Sequence, residues 1–224
     1  MIEVIKRIPF IGVVVKKVYK NIICKLRSFP GSEEYWIKRY NSGGTSGEGS
    51  YKVLAKYEAE TINFFVKEKN IARIIEYGCG DGNQLKLAEY PLYIGYDISQ
   101  KAIQVCQNLF QYDKTKSFRL LTEYNGETAQ LTLSLDVIYH LIEDNIYYSH
   151  MECLFSSSER FVIIYSSDYD DEQKYHEKRR KFTEWIKANK TQWELIRYMP
   201  NRFPYNIKTE KGSLSDFYIY EKTL

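Results

Sequence analysis

Residues 74–85, IIEYGCGDGNQL, place three glycines within five positions directly after an apolar run. Glycine at this density indicates that the backbone turns sharply or that a ligand approaches it closely. An acidic residue, Glu76, stands where the run meets the glycines. In doubly wound α/β folds, a glycine-rich turn between the first strand and the next helix binds a nucleotide, and the helix N-terminus directs N–H groups at it. The stretch therefore predicts an α/β fold with a ligand site at this turn.

From residue 71 onward, strand-like and helix-like patterns alternate. Strands are predicted at residues 71–76, 92–97, 118–121, 131–136 and 161–165, and helices from about Gly82, from Ser99, over 142–154 and around Phe182, Trp185 and Ile186. This alternation is typical of a parallel sheet covered by helices on both faces. The last two predicted strands, 193–198 and 217–220, have no convincing helix between them. We expect them to pair antiparallel at one edge of the sheet.

Two further acids end predicted strands. Asp97 closes the second strand, 19 residues beyond Gly78, and Asp136 closes the fourth. A carboxylate at the end of the second strand can accept hydrogen bonds from both ribose hydroxyls of a nucleotide. Each acid taken alone could equally cap a helix. Together with Glu76 and the glycines, however, they outline one ligand site at the carboxyl ends of adjacent strands.

The glycine spacing separates two classes of ligand. Dinucleotide enzymes use GxGxxG, which seats a pyrophosphate, whereas Gly78, Gly80 and Gly82 follow the pattern GxGxG. Adenosylmethionine has no pyrophosphate, and its cationic sulfonium and amino-acid end favour a nearby acid. The spacing therefore conflicts with a nicotinamide enzyme and suits adenosylmethionine.

These motifs resemble those of class I S-adenosylmethionine-dependent methyltransferases. Residues 76–82 match the family's first motif, E/D-x-G-x-G-x-G, while residues 96–99 and 133–140 are similar to the second motif and the fourth-strand motif. The resemblance, over residues 31–224, implies a Rossmann-like doubly wound seven-stranded sheet of order 3-2-1-4-5-7-6, with strand 7 antiparallel and helices on both faces. It also implies adenosylmethionine as cofactor and adenosylhomocysteine as product. The implied cofactor-binding residues are Glu76, Gly78, Cys79, Gly80, Asp97, Ile98 and Asp136.

The segment in front of the first strand has its own pattern. Residues 35–40 favour a short helix, residues 41–51 form a glycine- and serine-rich loop, and Ser50 is positioned to cap the next helix. This segment resembles a bacterial subgroup associated with surface-polysaccharide and sugar modification, in which it closes over the cofactor. The resemblance implies that Tyr35, Arg39 and Tyr51 lie near adenosylmethionine. A surface loop with an aromatic core helix is the alternative.

A histidine at the end of the fourth-strand motif is the candidate catalytic base. His140 lies four residues after Asp136, and a hydroxyl acceptor profits from a base that takes its proton. The alternative is a histidine packed at a helix start.

Tyr139, His176 and Arg180 are candidate substrate-binding residues, with a solvated helix face as the alternative for the basic stretch 176–182. Asp168, Asp170 and Asp171 form a loop cluster of a common kind, to which we assign no metal.

These features favour O-methylation of a sugar or nucleotide-activated sugar in capsular or lipopolysaccharide biosynthesis. A methyltransferase for another small molecule or for nucleic acid is one alternative, and a non-catalytic subunit with the same fold is another. The nucleic-acid alternative is weakened because residues 136–139 read DVIY, without the Asn/Asp-Pro-Pro-Tyr run of amino-methylating nucleic-acid enzymes.

Charge is distributed unevenly along the chain. Residues 1–30 hold seven Lys or Arg and one acid, so they carry +6, while the whole chain carries +3. We therefore divide the chain into a basic helical extension, residues 1–30, and a methyltransferase domain, residues 31–224. The near-neutral domain is a poor match for a nucleic-acid binder.

The apolar run 8–15 is too short to span a membrane and predicts either a docked helix or peripheral contact with an anionic membrane. Four scattered cysteines favour reduced thiols and a cytoplasmic location, with residues 1–28 at the inner face of the membrane.

Overall fold

A seven-stranded sheet forms the centre of the computed structural model, which describes residues 29–223. Its strands are β1 (Arg73–Tyr77), β2 (Leu92–Asp97), β3 (Lys116–Leu120), β4 (Ala129–Leu135), β5 (Ser158–Ser166), β6 (Trp193–Met199) and β7 (Asp216–Lys222). They lie in the order β3-β2-β1-β4-β5-β7-β6. β7 runs antiparallel to β5 and β6, and the other neighbouring pairs are parallel. The predicted doubly wound sheet with an antiparallel strand 7 is therefore confirmed.

Helices pack on both faces of this sheet. The described helices are α1 (Ser32–Asn41), α2 (Lys52–Glu68), α3 (Gln100–Leu109), α4 (Asp144–Ser156) and α5 (Phe182–Asn189). One buried cluster joins residues of α2 and α3 to Phe161 and Ile163 of β5. The other joins residues of α4 and α5 to Val162 and Ile164. Because alternate residues of a strand point to opposite faces, β5 is apolar at successive positions and contributes to both cores.

The helix predicted from about Gly82 does not form. Residues Gln84–Leu87 make a single 3₁₀ turn instead. Only nine residues separate Gly82 from β2, and Pro91 is one of them, so a helix followed by a return to the sheet has no room. Asn63 of α2 holds the turn: its Nδ2 donates to Leu87 O at 2.9 Å, and its Oδ1 accepts from Glu89 N at 2.8 Å.

Two smaller expectations also fail. Ser50 does not cap α2; the cap position belongs to Tyr51, which makes no side-chain cap bond. The basic stretch 176–181 is not helical, since α5 begins at Phe182. Asp168 directs that start, because its two oxygens accept hydrogen bonds from Thr183 N at 3.0 Å and Thr183 Oγ1 at 2.6 Å. The predicted extension and apolar run in residues 1–28 lie outside the described residues.

A buried serine at the start of α1 connects this helix to the chain that follows β4. Ser32 is 1% exposed, and its hydroxyl accepts a hydrogen bond from Ile142 N at 2.8 Å. The same hydroxyl lies 2.8 Å from His140 O and 2.6 Å from Glu143 Oε2, both of which can accept its proton. One short side chain therefore fixes α1 against the segment that carries His140.

We expect Ser32→Ala to destabilise the fold by about 1–3 kcal/mol, because the buried N–H of Ile142 loses its acceptor. Thermal unfolding measures the change. Ser42→Ala is the matched control, since Ser42 is exposed and caps the other end of α1 through its backbone N–H. Equal melting temperatures for the two variants would show that the hydroxyl does not hold α1 in place.

Candidate functional site

Three acids meet at the carboxyl ends of neighbouring strands. Glu76 lies in β1, Asp97 ends β2, and Asp136 follows β4; β1 pairs with both β2 and β4. All three line a cavity of about 310 Å³, at the lower end of the volumes that small-ligand sites have. The structure thus brings together the acids that the sequence places at separate strand ends.

The glycine loop, Gly78 to Gly82, forms one wall of this cavity. Gly78, Gly80 and Gly82 have φ values of +87°, +58° and +70°, which side-chain-bearing residues rarely adopt. A Cβ on Gly80 would overlap the Ser46 hydroxyl, and one on Gly78 would overlap Val137. Glycine is therefore required both by the backbone conformation and by the close packing of neighbouring segments.

Asp97 is held in place by backbone N–H groups. Its Oδ2 accepts from Gly80 N at 3.0 Å, and its Oδ1 accepts from Ser99 N at 2.9 Å. Ser99 in turn caps α3 by accepting from Ala102 N. Burial raises the pKa of Asp97 to about 6, although the backbone hydrogen bonds oppose the shift. The carboxylate is thus fixed in orientation within the lining of the cavity.

Glu76 and Asp136 are also buried acids. The Glu76 carboxylate accepts from Tyr93 Oη at 2.6 Å, and burial raises its pKa to about 7. Asp136 accepts from Ser215 Oγ at 2.5 Å, and burial raises its pKa to about 6. Its backbone φ of +55° is strained for a residue with a side chain, although Asp tolerates this region better than most.

Residues 43–50, which we call the lid segment, lie against the glycine loop. Ser46 and Asp81 exchange two hydrogen bonds: Ser46 N donates to Asp81 Oδ2 at 3.0 Å, and Asp81 N donates to Ser46 Oγ at 2.9 Å. Tyr51 Oη adds a bond to the same Asp81 oxygen at 2.8 Å, and Asn83 Nδ2 donates to Ser50 O at 2.8 Å. The lid segment is thereby fastened to the loop that it covers.

Three residues that the resemblance places beside a cofactor, Tyr35, Arg39 and Tyr51, are not among the residues that line the cavity. From the front of the described chain, the lining comprises Ser32, Glu33, Trp36, Tyr40, Ser46 and Ser50. Arg39 supports the lid segment, since its Nε donates to Thr45 O at 2.6 Å and its Nη1 to Tyr35 Oη at 3.3 Å. Tyr51 bonds Asp81. Tyr35, Arg39 and Tyr51 therefore stand one layer behind the lining, whereas Cys79 and Ile98 are part of it.

His140 lines the cavity next to Trp36. Its Nδ1 lies 2.9 Å from the backbone oxygen of His176, and a carbonyl oxygen can only accept, so Nδ1 carries the proton and Nε2 is the free acceptor. The His140 ring stacks on His176 at 5.3 Å and meets the edge of Trp36 at 4.9 Å. Burial lowers the pKa of His140 to about 4, so the imidazole is neutral at pH 7.

The candidate substrate-binding residues support the wall behind His140. The Tyr139 hydroxyl bonds Asp136, and His176 stacks between His140 and Tyr35. Arg180 donates to Leu141 O and Ile142 O at 2.8 Å and to Asp144 Oδ1 at 2.7 Å. These contacts organise the chain between β4 and α4, and none of the three side chains is in the described lining of the cavity.

Sequence reasoning missed one buried acid of this site. Glu58 is 2% exposed, lies in α2 and lines the cavity. A signal for it was present, because Glu58 interrupts the buried face that Leu54, Tyr57 and Ile62 define at helical spacing. A charged residue on the apolar face of a helix is the pattern of a buried functional acid.

Residues 29–223 hold neither a metal-type cluster of side chains nor a helix suited to span a membrane. This part of the chain has no group of three His, Cys, Asp or Glu side chains arranged to hold a metal ion. Within the loop acid cluster, Asp168 accepts from Thr183 N in the first turn of α5 at 3.0 Å, while Asp170 accepts from Lys181 N at 3.1 Å. None of the helices in the same residues combines the length and the hydropathy that crossing a bilayer requires.

The raised pKa of Glu76 predicts that the folded protein becomes less stable as pH rises. Below about pH 4.5 the Glu76 carboxyl is protonated in both the folded and the unfolded chain. As pH rises toward 7, the unfolded chain loses this proton more readily, because the pKa of Glu76 in the folded chain is about 7. Wild type should therefore lose stability over this window relative to Glu76→Gln, by up to about 3 kcal/mol at pH 8. Thermal unfolding of the unliganded proteins from pH 4.5 to 8 measures the difference.

Glu194→Gln is the control for this series, because Glu194 is exposed on β6. Its melting curve should follow wild type at every pH. If Glu76→Gln also follows wild type, Glu76 is not the buried, neutral acid that its surroundings indicate.

No protein-family model matches this chain, and no curated protein matches it in sequence. Solved structures do match. The methyltransferase domain of bacterial CtHen1-C has 18% identity and a TM-score of 0.60, over 75% of this chain and 98% of that chain. Magnesium protoporphyrin IX methyltransferase from Synechocystis PCC 6803, with bound SAM, has 14% identity and a TM-score of 0.62, over 88% and 100%. N-methyltransferase NodS from Bradyrhizobium japonicum WM9, in complex with S-adenosylhomocysteine, has 10% identity and a TM-score of 0.60, over 86% and 98%.

At these identities the likeness concerns the fold, and it agrees with the strand order and the antiparallel β7. The chain has the Rossmann-like fold of class I methyltransferases.

Proposed function

We propose that this protein is an S-adenosylmethionine-dependent methyltransferase and that adenosylmethionine occupies the cavity beside the glycine loop. The observation that carries the proposal is the convergence of Glu76, Asp97 and Asp136 on that cavity, whose lining contains no Lys or Arg from residues 29–223. Adenosylmethionine carries a net positive charge, which such a lining favours, whereas a dinucleotide would bring a pyrophosphate against the acids. The structural relatives with bound SAM and S-adenosylhomocysteine support the same choice of cofactor and product.

Each wall of the cavity suits one part of this cofactor. Asp97, held by Gly80 N–H, would accept the ribose hydroxyls. Ile98 would contact the adenine, and the backbone of Gly78, Cys79 and Gly80 would approach the chain between ribose and methionine. Glu76 and Asp136 would face the methionyl end. The lid segment would then close the cavity from solvent through its bonds to Asp81.

We assign His140 as the general base. When bound, the cofactor supplies an electrophilic methyl group on a sulfonium. The chain's own task is to exclude water, to align the acceptor behind that methyl and to remove the acceptor's proton. His140 is suited to the last step because its imidazole is neutral at pH 7 and its Nδ1 bond to His176 O leaves Nε2 as acceptor.

A hydroxyl of a sugar is the acceptor we favour, within capsular or lipopolysaccharide biosynthesis. Support comes from the front segment's resemblance to sugar-modifying enzymes and from a base, which hydroxyl acceptors need more than amines do. Since the guanidinium of Arg180 already bonds Leu141, Ile142 and Asp144, a neutral sugar suits this wall better than a phosphate-bearing one. Another small-molecule acceptor, a nucleic-acid acceptor or a non-catalytic role are the alternatives that the experiments below distinguish.

For the basic residues 1–28 we propose peripheral contact with an anionic membrane at its cytoplasmic face. Their charge and the apolar run 8–15 support this. Deleting them should leave cofactor binding intact and abolish sedimentation with anionic liposomes. A full-length protein that ignores such liposomes would contradict the membrane contact.

Asp97→Ala should weaken adenosylmethionine binding about tenfold or more, because two ribose hydroxyls lose a charged acceptor. Isothermal titration measures the affinity, and Asp113→Ala, a partly exposed acid beyond α3 that does not line the cavity, is the control. Wild type should bind adenosylmethionine and not NADH. Unchanged affinity in Asp97→Ala would remove Asp97 from the site, and a wild type that binds neither compound would favour a degenerate scaffold.

His140→Ala should leave adenosylmethionine affinity nearly intact and lower turnover by roughly 10²–10⁴, the usual contribution of a general base. Turnover can be followed with methyl-labelled adenosylmethionine and a panel of monosaccharides, nucleotide sugars and nucleic acids. The wild-type rate should rise with pH through about 4, where His140 loses its proton, and the variant should lack that step. Normal turnover with a lower melting temperature would instead mean that His140 only packs the wall.

A further inference from the structure

One buried acid of the cavity has no role in the assignments above. Glu58 is 2% exposed in the middle of α2, and its Oε1 has no hydrogen-bond partner. A buried carboxyl oxygen without a donor is costly, and native proteins rarely keep one without a reason. Because Glu58 also lines the cavity, a ligand there could supply the missing donor.

The surroundings of Glu58 define the kind of donor. Its pKa is raised well above the ordinary value by burial first, and then by Asp136 and Glu76. The other titratable groups that sense its charge are the phenols of Tyr90, Tyr139 and Tyr165. In the described lining there is no Lys or Arg to compensate for it. The site therefore favours a cation that also carries N–H groups.

We propose that Glu58, together with Glu76 and Asp136, forms a binding site for a primary ammonium group; resting on the proposed function, that group is the α-ammonium of adenosylmethionine. A sulfonium has positive charge but no N–H, and a sugar hydroxyl has a donor but no charge. A primary ammonium has three donors around one charge, which suits three acids that approach from different elements, α2, β1 and the end of β4.

The site also couples binding to proton release. Without ligand, burial beside Asp136 and Glu76 raises the pKa of Glu58 and favours the protonated carboxyl. When an ammonium group enters, the ionised carboxylate is favoured, so the carboxyl gives its proton to solvent and accepts an N–H···O bond instead. Charge is balanced, because one ammonium replaces one proton at the site.

Two ligands and two variants test this. The ligands are adenosylhomocysteine, which has the ammonium and no sulfonium, and its deaminated analogue, S-adenosyl-4-thiobutanoate. Glu58→Gln should lower the affinity for adenosylhomocysteine about tenfold to a hundredfold and leave that for the analogue unchanged. Glu60→Gln, the same change on the exposed side of α2, should affect neither ligand. Equal losses for both ligands in Glu58→Gln would overturn the proposal.

If Glu58→Gln fails to fold, proton release on ligand binding can still be measured on the wild-type protein. Titrations in buffers of different ionisation enthalpy count the protons released on binding. Adenosylhomocysteine should release more protons than the deaminated analogue near pH 7, and equal release would overturn the coupling. If wild type binds neither ligand, the proposed function itself fails. That outcome is distinct from a wild type that binds both ligands while Glu58→Gln weakens both equally, which overturns only the role of Glu58.

Discussion

The hydrogen bond from Gly80 N to the Asp97 carboxylate joins the two loops on which the rest of the site depends. It is possible because Gly80 has a φ of +58°, and that conformation turns the backbone of the glycine loop toward the end of β2. The same loop presents Asp81 to the lid segment through Ser46. A side chain at Gly80 would disturb both contacts, because it would strain the loop and displace Ser46.

The second constraint is the accumulation of acidic side chains in a poorly solvated cavity. Glu58, Glu76, Asp97 and Asp136 are drawn from four separate elements, and burial is the largest cause of the raised pKa of each. Between the ordinary pKa of each group and its raised value, the folded chain holds a proton that the unfolded chain has lost, and this costs stability as pH rises through that range. Such a cavity is stabilised by a cation, so the property that weakens the empty protein is the one that would favour its ligand.

How much of this could be predicted from the sequence depends on how local each feature is. The strands, the glycine loop and the acids at or next to the ends of β1 and β2 follow from short-range patterns, and the sequence predicts them at or near their observed positions. The helix after Gly82 was predicted wrongly, because the short distance to Pro91 and β2 outweighs the usual motif. The bond of Ser46 to Asp81 spans 35 residues, and no periodicity in the chain encodes it. Glu58 lies between the local features and the long-range ones. Its helical spacing from apolar residues predicts that it is buried, but only the fold shows that it lines this cavity.

The front segment illustrates why a site cannot be assigned to the strand ends alone. Ser32 bonds the chain beside His140, Trp36 contacts the His140 ring, and Ser46 covers the glycine loop. His140 is thus positioned from two directions, by α1 on one side and by His176 O on the other. Because α1 and the lid segment are continuous in sequence, a displacement of the lid segment would act on the wall around His140 as well. The contacts that fasten the lid segment and those that position His140 are therefore parts of one arrangement, which begins before the first strand.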